Sequence, residues 1–199
     1  KQSAVGDKAA SINQKFKLDL AKAKQLLEES GVPKPWKVTY HAYTGRQEIM
    51  QIAELYQALA ATVGVEVELK TGEWGVLWKK QQKMESAANM FAVLWWADWP
   101  TPTGWLETML RSEDPIVFNF SHYSNPEYDR LLDEGIKLQG SDQPMAIEKF
   151  IEAQRIAYDD AAVMCLVDLK KTLLHRADIT GVGYNAAYEW VDVYKLRRN

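Results

Sequence analysis

The sequence predicts an α/β fold, a mixed sheet with helices on both faces. Three observations carry this. Residues 36–69 read strand, helix, strand, a crossover unit that favours a right-handed parallel pair. Residues 89–96 are apolar throughout, as a strand covered on both faces would be. Two amphipathic helices then open at Asn125 and Asp142.

Taken in order, residues 1–18 are polar and aperiodic and read as a lead-in. Asp19 suits the cap of a helix to about Ser30, with Leu20, Ala23, Leu26 and Leu27 on one face. Gly31 fits a left-handed C-terminal cap, and Pro33 blocks continuation. Trp36–Tyr43 alternates bulky and polar residues, a strand with one covered face. Over 46–63, Ile49, Ile52, Ala53, Tyr56, Leu59, Ala60 and Val63 recur at helical spacing. Gly64 ends that helix, and Val65–Leu69 has period two. A third helix is expected from Glu73 to Met84, with Trp74, Leu77 and Trp78 inward.

The apolar run 89–96 stops at Ala97-Asp98-Trp99-Pro100-Thr101-Pro102, where the prolines forbid a ladder. A short helix is expected around Trp105–Leu110. Asn125 caps the next helix with Pro126 in its first turn; Tyr128, Leu131, Leu132 and Ile136 face inward. Asp142 opens a helix to about Asp159 that uses Ile147, Phe150, Ile151, Gln154 and Ala157. Ala162–Leu169 and Thr172–His175 read as strands, and Gly181–Asn199 shows no clear periodicity.

With 199 residues, 47% of them hydrophobic, the chain can bury a substantial core. A net charge of −3 argues against a nucleic-acid surface. No apolar run approaches the roughly 18 residues of a membrane span, so direct membrane insertion is not expected. At the Lys1-Gln2-Ser3 start no signal peptide is expected, and a piece of a longer protein is expected. One cysteine excludes an intrachain disulfide and a multi-cysteine metal site.

The three histidines, His41, His122 and His175, lie in no metal-ligand spacing. No HExxH, phosphate-cradling glycine loop or Gly-x-Ser-x-Gly elbow occurs. Cys165, within Ala-Val-Met-Cys-Leu-Val, is expected to be buried and inert, and His41 to be a satisfied structural histidine. Asp159-Asp160 reads as a solvated turn. No catalysis, cofactor or metal is expected.

The unusual segment is Leu94-Trp95-Trp96-Ala97-Asp98-Trp99. It is a strand running out, at its carboxyl end, into indoles and one carboxylate, where ligands gather in open α/β sheets. Indoles supply rigid apolar walls and a carboxylate suits an ammonium group. The alternative is that Asp98 caps the next turn and the tryptophans are core.

In these residues the chain resembles the C-terminal part of the family 5 extracellular solute-binding proteins, the oligopeptide- and dipeptide-binding receptors of bacterial ABC importers. The resemblance lies in Asp19–Gly31, in Gln57-Ala58-Leu59 through Val63–Leu69, and in Ala97–Pro102. It continues in Asn125–Leu132 and Ala153-Gln154-Arg155-Ile156. It implies one lobe of a type II periplasmic-binding-protein-like fold. Residues 19–180 would be the third lobe and 181–199 the segment returning to the first domain. It implies that Asp98 pairs with a peptide's α-ammonium and that Leu94, Trp95 and Trp96 pair main chain with an extended peptide. Trp95, Trp96 and Trp99 would wall the cleft. The partners implied are a peptide or other small solute and the ABC transporter permease subunits. The location implied is periplasmic, or extracellular with a lipid anchor. Thr101 departs from the family, where an acid or amide is common, and no Arg or Lys lies in 89–96 to clamp a peptide C-terminus. The abundant indoles make an oligosaccharide the alternative ligand. A hydrolase using Asp98 with Glu107 or Glu73 is the remote one.

Overall fold

Strand β1 (Trp36–Tyr43) is the middle of the sheet and sets everything around it. The computed structural model describes residues 17–96, 99, 101–167, 172–185 and 190–199. β1 pairs in parallel with β2 (Val65–Gly72), from Trp36 opposite Val65 to Tyr43 opposite Gly72. On its other side it pairs in parallel with β3 (Met90–Phe91), Tyr40 opposite Met90 and His41 opposite Phe91. The order is β2-β1-β3. This sheet is wholly parallel as described; the antiparallel pairings lie in two separate two-stranded ladders near the C-terminus.

Helix α1 (Leu20–Glu29) begins at Asp19, whose carboxylate accepts the Lys22 N–H at 2.8 Å. Ala23 and Leu27 rest against the sheet core. Helix α2 (Gln47–Thr62) joins β1 to β2 and ends at Gly64, φ 88°, a conformation only glycine adopts without strain. Helix α3 (Trp74–Gln81) follows Glu73 and stops earlier than the expected Met84. Successive strand side chains point to opposite faces. Tyr40 meets Tyr56 of α2 with ring centres 5.8 Å apart, while Tyr43 meets Trp74 of α3 at 4.8 Å. The two helices therefore cover opposite faces of β1. This corrects the expectation of one covered face, since Tyr40, His41, Ala42 and Tyr43 are all buried. The polar member, His41, is tolerated because its Nδ1 lies 3.0 Å from the Gln81 Oε1.

The apolar run at 89–96 is also corrected. Only Met90–Phe91 pair, with the Ala92 N–H still reaching the His41 carbonyl at 3.3 Å. β1 turns away at Thr44, whose N–H goes to the Gly72 carbonyl at 2.9 Å, so no β1 residue continues opposite 94–96. The run is not covered on both faces at its end, where Trp96 is exposed.

A second core lies among α4 (Thr103–Leu110), α5 (Pro126–Leu138) and α6 (Gln143–Asp159). Leu110, Tyr128, Leu131, Leu132, Phe150 and Ala157 fill it. The caps are as expected. Asn125 accepts the Glu127 and Tyr128 N–H groups at 3.0 and 3.2 Å, and Asp142 accepts that of Met145 at 3.1 Å. α5 and α6 approach closely at Gly135, where an added Cβ would stand 2.5 Å from the Phe150 ring.

Asp160 lies in an exposed turn, as the sequence predicts, with its carboxylate bonded there. Its carboxylate accepts the Tyr123 hydroxyl at 2.6 Å and the Asn125 amide at 2.8 Å, tying the end of α6 to the start of α5. These bonds hold its carboxyl below the usual range. A depressed folded value means stability present above the unfolded pKa and lost as pH falls through the folded one. The urea midpoint is expected to drop on acidification below about pH 4. Asp160→Asn should make that drop smaller, and an unchanged acid limb would contradict the link.

Beyond α6 the strands expected at 162–169 and 172–175 do not form; their described residues carry no ladder, and 168–171 lie outside the described residues. Cys165 is exposed, not buried, and Met164, Val167 and Leu174 are exposed with it. Ala162 and Val163 still pack on the second core, but the run beyond them is exposed, and an apolar run becomes a covered strand only where something packs on it. The C-terminal stretch, which shows no clear periodicity in the sequence, forms short ladders. β4 (Ile179–Thr180) pairs antiparallel with β7 (Arg197–Arg198), and β5 (Tyr184–Asn185) with β6 (Trp190–Val191). Gly181, φ 75°, allows this; a Cβ there would fall 1.9 Å from the Lys195 carbonyl oxygen.

Candidate functional site

Parallel strands place all their carboxyl ends on one edge, and ligand sites of open α/β sheets lie there. At this edge β1 gives way to Thr44-Gly45-Arg46, β2 to Glu73-Trp74, and β3 to residues 92–96. An aromatic cluster fills the angle behind it. Trp74 stacks on Phe91, centres 5.5 Å apart and planes 22° from parallel. Trp78 meets Phe118 and Phe120 edge-on at 5.2 and 4.7 Å. Such pairs add to their burial about 0.5–1.5 kcal/mol each.

Buried polar groups hold this cluster in register. Gln81 donates from Nε2 to the carbonyls of Ala88 and Phe120 at 3.1 and 2.9 Å. Its Oε1 therefore faces His41, whose Nδ1 carries the proton. Burial lowers the His41 pKa; the Gln81 bond acts against that, more weakly. His122 donates from Nε2 to the Gln81 carbonyl at 2.7 Å. Glu113 Oε2 accepts three consecutive backbone N–H groups, from Val117, Phe118 and Asn119, at 2.8, 3.0 and 3.0 Å. That carboxylate shapes the loop presenting Phe118 and Phe120.

The residues expected in the site separate into distinct roles. Leu94 is half-buried and packs on the sheet core. Its backbone hydrogen-bonds the Tyr43 hydroxyl, whose pKa burial raises and this bond lowers. Trp95 is half-buried, its ring 5.2 Å from Phe118 and its N–H on the Gly104 carbonyl at 3.1 Å. These contacts pack it against the aromatic cluster. Trp96 is 52% exposed. Trp99 is 41% exposed, with its N–H on the Thr103 hydroxyl at 2.8 Å. Asp98, with Ala97 and Pro100, lies outside the described residues.

Sequence reasoning did not single out Arg46, which lies at this edge. It begins α2 at the carboxyl end of β1, pairs with Glu48 (Nε to Oε1, 2.6 Å), and acts electrostatically on the Tyr43 hydroxyl. A cation directly after a strand that ends at a sheet's ligand edge is the signal that could have found it. Two open depressions among the described residues lie elsewhere. One, lined by Lys24, Lys34, Trp36 and Gly64, is at the opposite, amino end of β1; the other lies by Met84, Glu113 and His122. Among the described residues no group of three or more His, Cys, Asp or Glu is placed to hold a metal, and no helix is long and apolar enough to cross a membrane.

Residues 2–115 match the family described as bacterial extracellular solute-binding proteins, family 5 Middle. The chain is 30% identical over 152 residues to Heme-binding protein A of Haemophilus influenzae, covering 74% of this chain and 27% of that protein. It is 27% identical over 183 residues to Di/tripeptide-binding protein 1 of Pseudomonas aeruginosa, covering 86% and 33%. Among solved structures it is similar to clavulanic acid biosynthesis oligopeptide binding protein 2, with TM-score 0.79, 21% identity, and coverage of 90% and 34%. It is similar as well to the periplasmic binding protein DppA from Helicobacter pylori in complex with the peptide STSA, with TM-score 0.70, 24% identity, and coverage of 94% and 36%. The chain thus spans about a third of the length of the relatives it matches. It shares with these structures the α/β lobe of a type II periplasmic-binding-protein-like fold. The chain belongs to the family 5 bacterial extracellular solute-binding proteins.

Proposed function

We propose that this chain is one lobe of the substrate-binding component of an ABC importer, and that its ligand is a short peptide with free ends. The observation that carries this is the main chain of 93–96. It leaves the sheet beyond β3 without a described ladder partner and bears an exposed indole at Trp96. Unladdered backbone at a sheet's ligand edge can add an extended peptide without reading its side chains. Asp98 takes the α-ammonium and Arg46 the terminal carboxylate, each by a charge-assisted hydrogen bond. Trp96 covers the peptide's apolar surface. The reading is supported by relatives named for di- and tripeptides and by a similar structure holding a four-residue peptide.

In this reading residues 19–180 form the third lobe and 181–199 return to the first domain. The second lobe closes over the ligand as a rigid body. The permease subunits of the importer are the protein partners, and the receptor works outside the cytoplasmic membrane, free or lipid-anchored. It binds and releases without making or breaking a covalent bond.

The test is a thermal shift of the receptor that carries this chain, with trialanine, N-acetyl-trialanine, trialanine amide and maltotriose. Trialanine should raise the melting temperature and the two blocked peptides should do so far less. A response to maltotriose alone would overturn the reading in favour of an oligosaccharide. Arg46→Gln is expected to weaken trialanine about 10- to 100-fold by calorimetry, the cost of a lost charge-assisted bond. It should leave trialanine amide unchanged. Equal losses for both ligands would remove Arg46 from the carboxylate.

A further inference from the structure

The stretch that follows α6 carries an apolar surface left largely bare among the described residues. Val163-Met164-Cys165-Leu166-Val167 holds no charge, in a chain where 26% of residues are charged. Met164, Leu166 and Val167 are 54%, 48% and 59% exposed, and Cys165 is exposed with them. None of the five enters a described ladder.

The stretch is nevertheless held in place. Ala162 and Val163 pack on the second core, and the Ala162 N–H donates to the Ala157 carbonyl at 2.9 Å. Cys165 hydrogen-bonds the hydroxyl of the buried Tyr158 through both its thiol and its backbone. The run is thus fastened to α6 at Val163 and Cys165, while Met164, Leu166 and Val167 are presented to solvent. An apolar run outside any ladder is a template for another strand, and proteins seldom leave one bare.

Two occupants compete: a second copy of this chain, and the remaining length of the receptor. A stable interface between separate chains takes about 20–30 residues a side, and this run falls far short of that. A surface on the same polypeptide needs much less, because the tether has already removed most of the cost of bringing the two together. The chain spans only 27% and 33% of two of its relatives, which leaves ample length for such a surface.

We propose that residues 163–167 are an internal seam of the receptor, an edge strand that pairs with an apolar strand from the part of the receptor outside this chain. The proposal rests on the reading above that this chain is one lobe of a longer protein. The seam is permanent, because a surface covered only with ligand bound would lie bare in the free receptor.

Cys165 reports on the seam, since it is this chain's single cysteine. Iodoacetamide labelling of the proteolytic peptide that contains it is followed by mass spectrometry, in this chain and in the receptor that carries it. Labelling should be about tenfold or more slower in the receptor, with or without trialanine. Equal rates in chain and receptor would overturn the proposal. So would protection that appears only with trialanine, which would place the run at the ligand cleft. A dimer of this chain by light scattering, with Cys165 protected there and labelled freely in the receptor, would give the surface to a second copy. Leu166→Asp supplies an independent readout. It should leave the melting temperature of this chain unchanged and lower that of the receptor by several degrees. Leu166→Met, which keeps the apolar surface, should lower neither. A receptor unmoved by Leu166→Asp, or an equal fall in both proteins, would also overturn the seam. Should the receptor variant fail to fold, the Cys165 comparison on wild type still decides. Wild-type receptor that ignores trialanine would refute the peptide ligand alone, because the protection of Cys165 is read without ligand.

Discussion

Asp98→Ala, in the receptor that carries this chain, is expected to cost about 2–4 kcal/mol of trialanine binding, a rise in Kd of about 30-fold to several hundredfold. The magnitude follows from what the substitution leaves behind. A peptide ammonium enclosed between two lobes has lost its water. With its carboxylate gone it stays charged and unpaired, which costs more than the pair itself contributes. Calorimetry reads the loss directly. N-acetyl-trialanine supplies the control, because it has no ammonium to leave unpaired and should lose no affinity in the variant. Unchanged trialanine affinity in Asp98→Ala would remove the residue from the site. The isolated lobe should bind weakly whatever occupies position 98, since the second lobe's contacts and enclosure are missing.

The second large effect is structural. Phe150 is 3% exposed in the core between α5 and α6, and Phe150→Ala should lower stability by about 3–5 kcal/mol, transfer and cavity terms together. Gly135 faces that ring with no room for a methyl group. Gly135→Ala alone should cost about 1–3 kcal/mol through overpacking, less a gain of about 1 kcal/mol in helix propensity. In the Phe150→Ala background the clash is gone, and the new methyl group enters the cavity. Gly135→Ala should then stabilise. The change of sign, read from urea denaturation of the four proteins in the cycle, is the diagnostic. A Gly135→Ala effect of the same sign in both backgrounds would show that the ring and the glycine do not share the space.

What could be read beforehand was mostly local. Asp19, Asn125 and Asp142 cap their helices because a short acceptor side chain finds an N–H two or three residues on, whatever the rest of the chain does. The parallel pairing of β1 with β2 was legible for a similar reason, since a strand, a helix of suitable length and a strand leave few other arrangements. What could not be read was set at long range. β3 pairs only at Met90–Phe91, and β1, far earlier in the chain, ends at Tyr43 and so offers nothing opposite 94–96. Apolar character could not show that Cys165 is exposed, because burial needs a second surface. The site divided along the same line. Composition pointed to the indoles and to Asp98. Trp95 turns inward onto Gly104 and Phe118, neither of which carries a motif. Glu113 left no trace at all, since it acts on backbone amides that every sequence has.

The Gln81 side chain touches the imidazole of one strand and the backbone of two separate loops, and its own carbonyl holds His122. Replacing it would oblige a lineage to re-solve several partnerships in one step, a route natural selection seldom finds open. Trp96, with half its ring in water, can be exchanged singly. On the peptide reading proposed above, descendants could thus trade one ligand for another at the rim while inheriting the chassis intact.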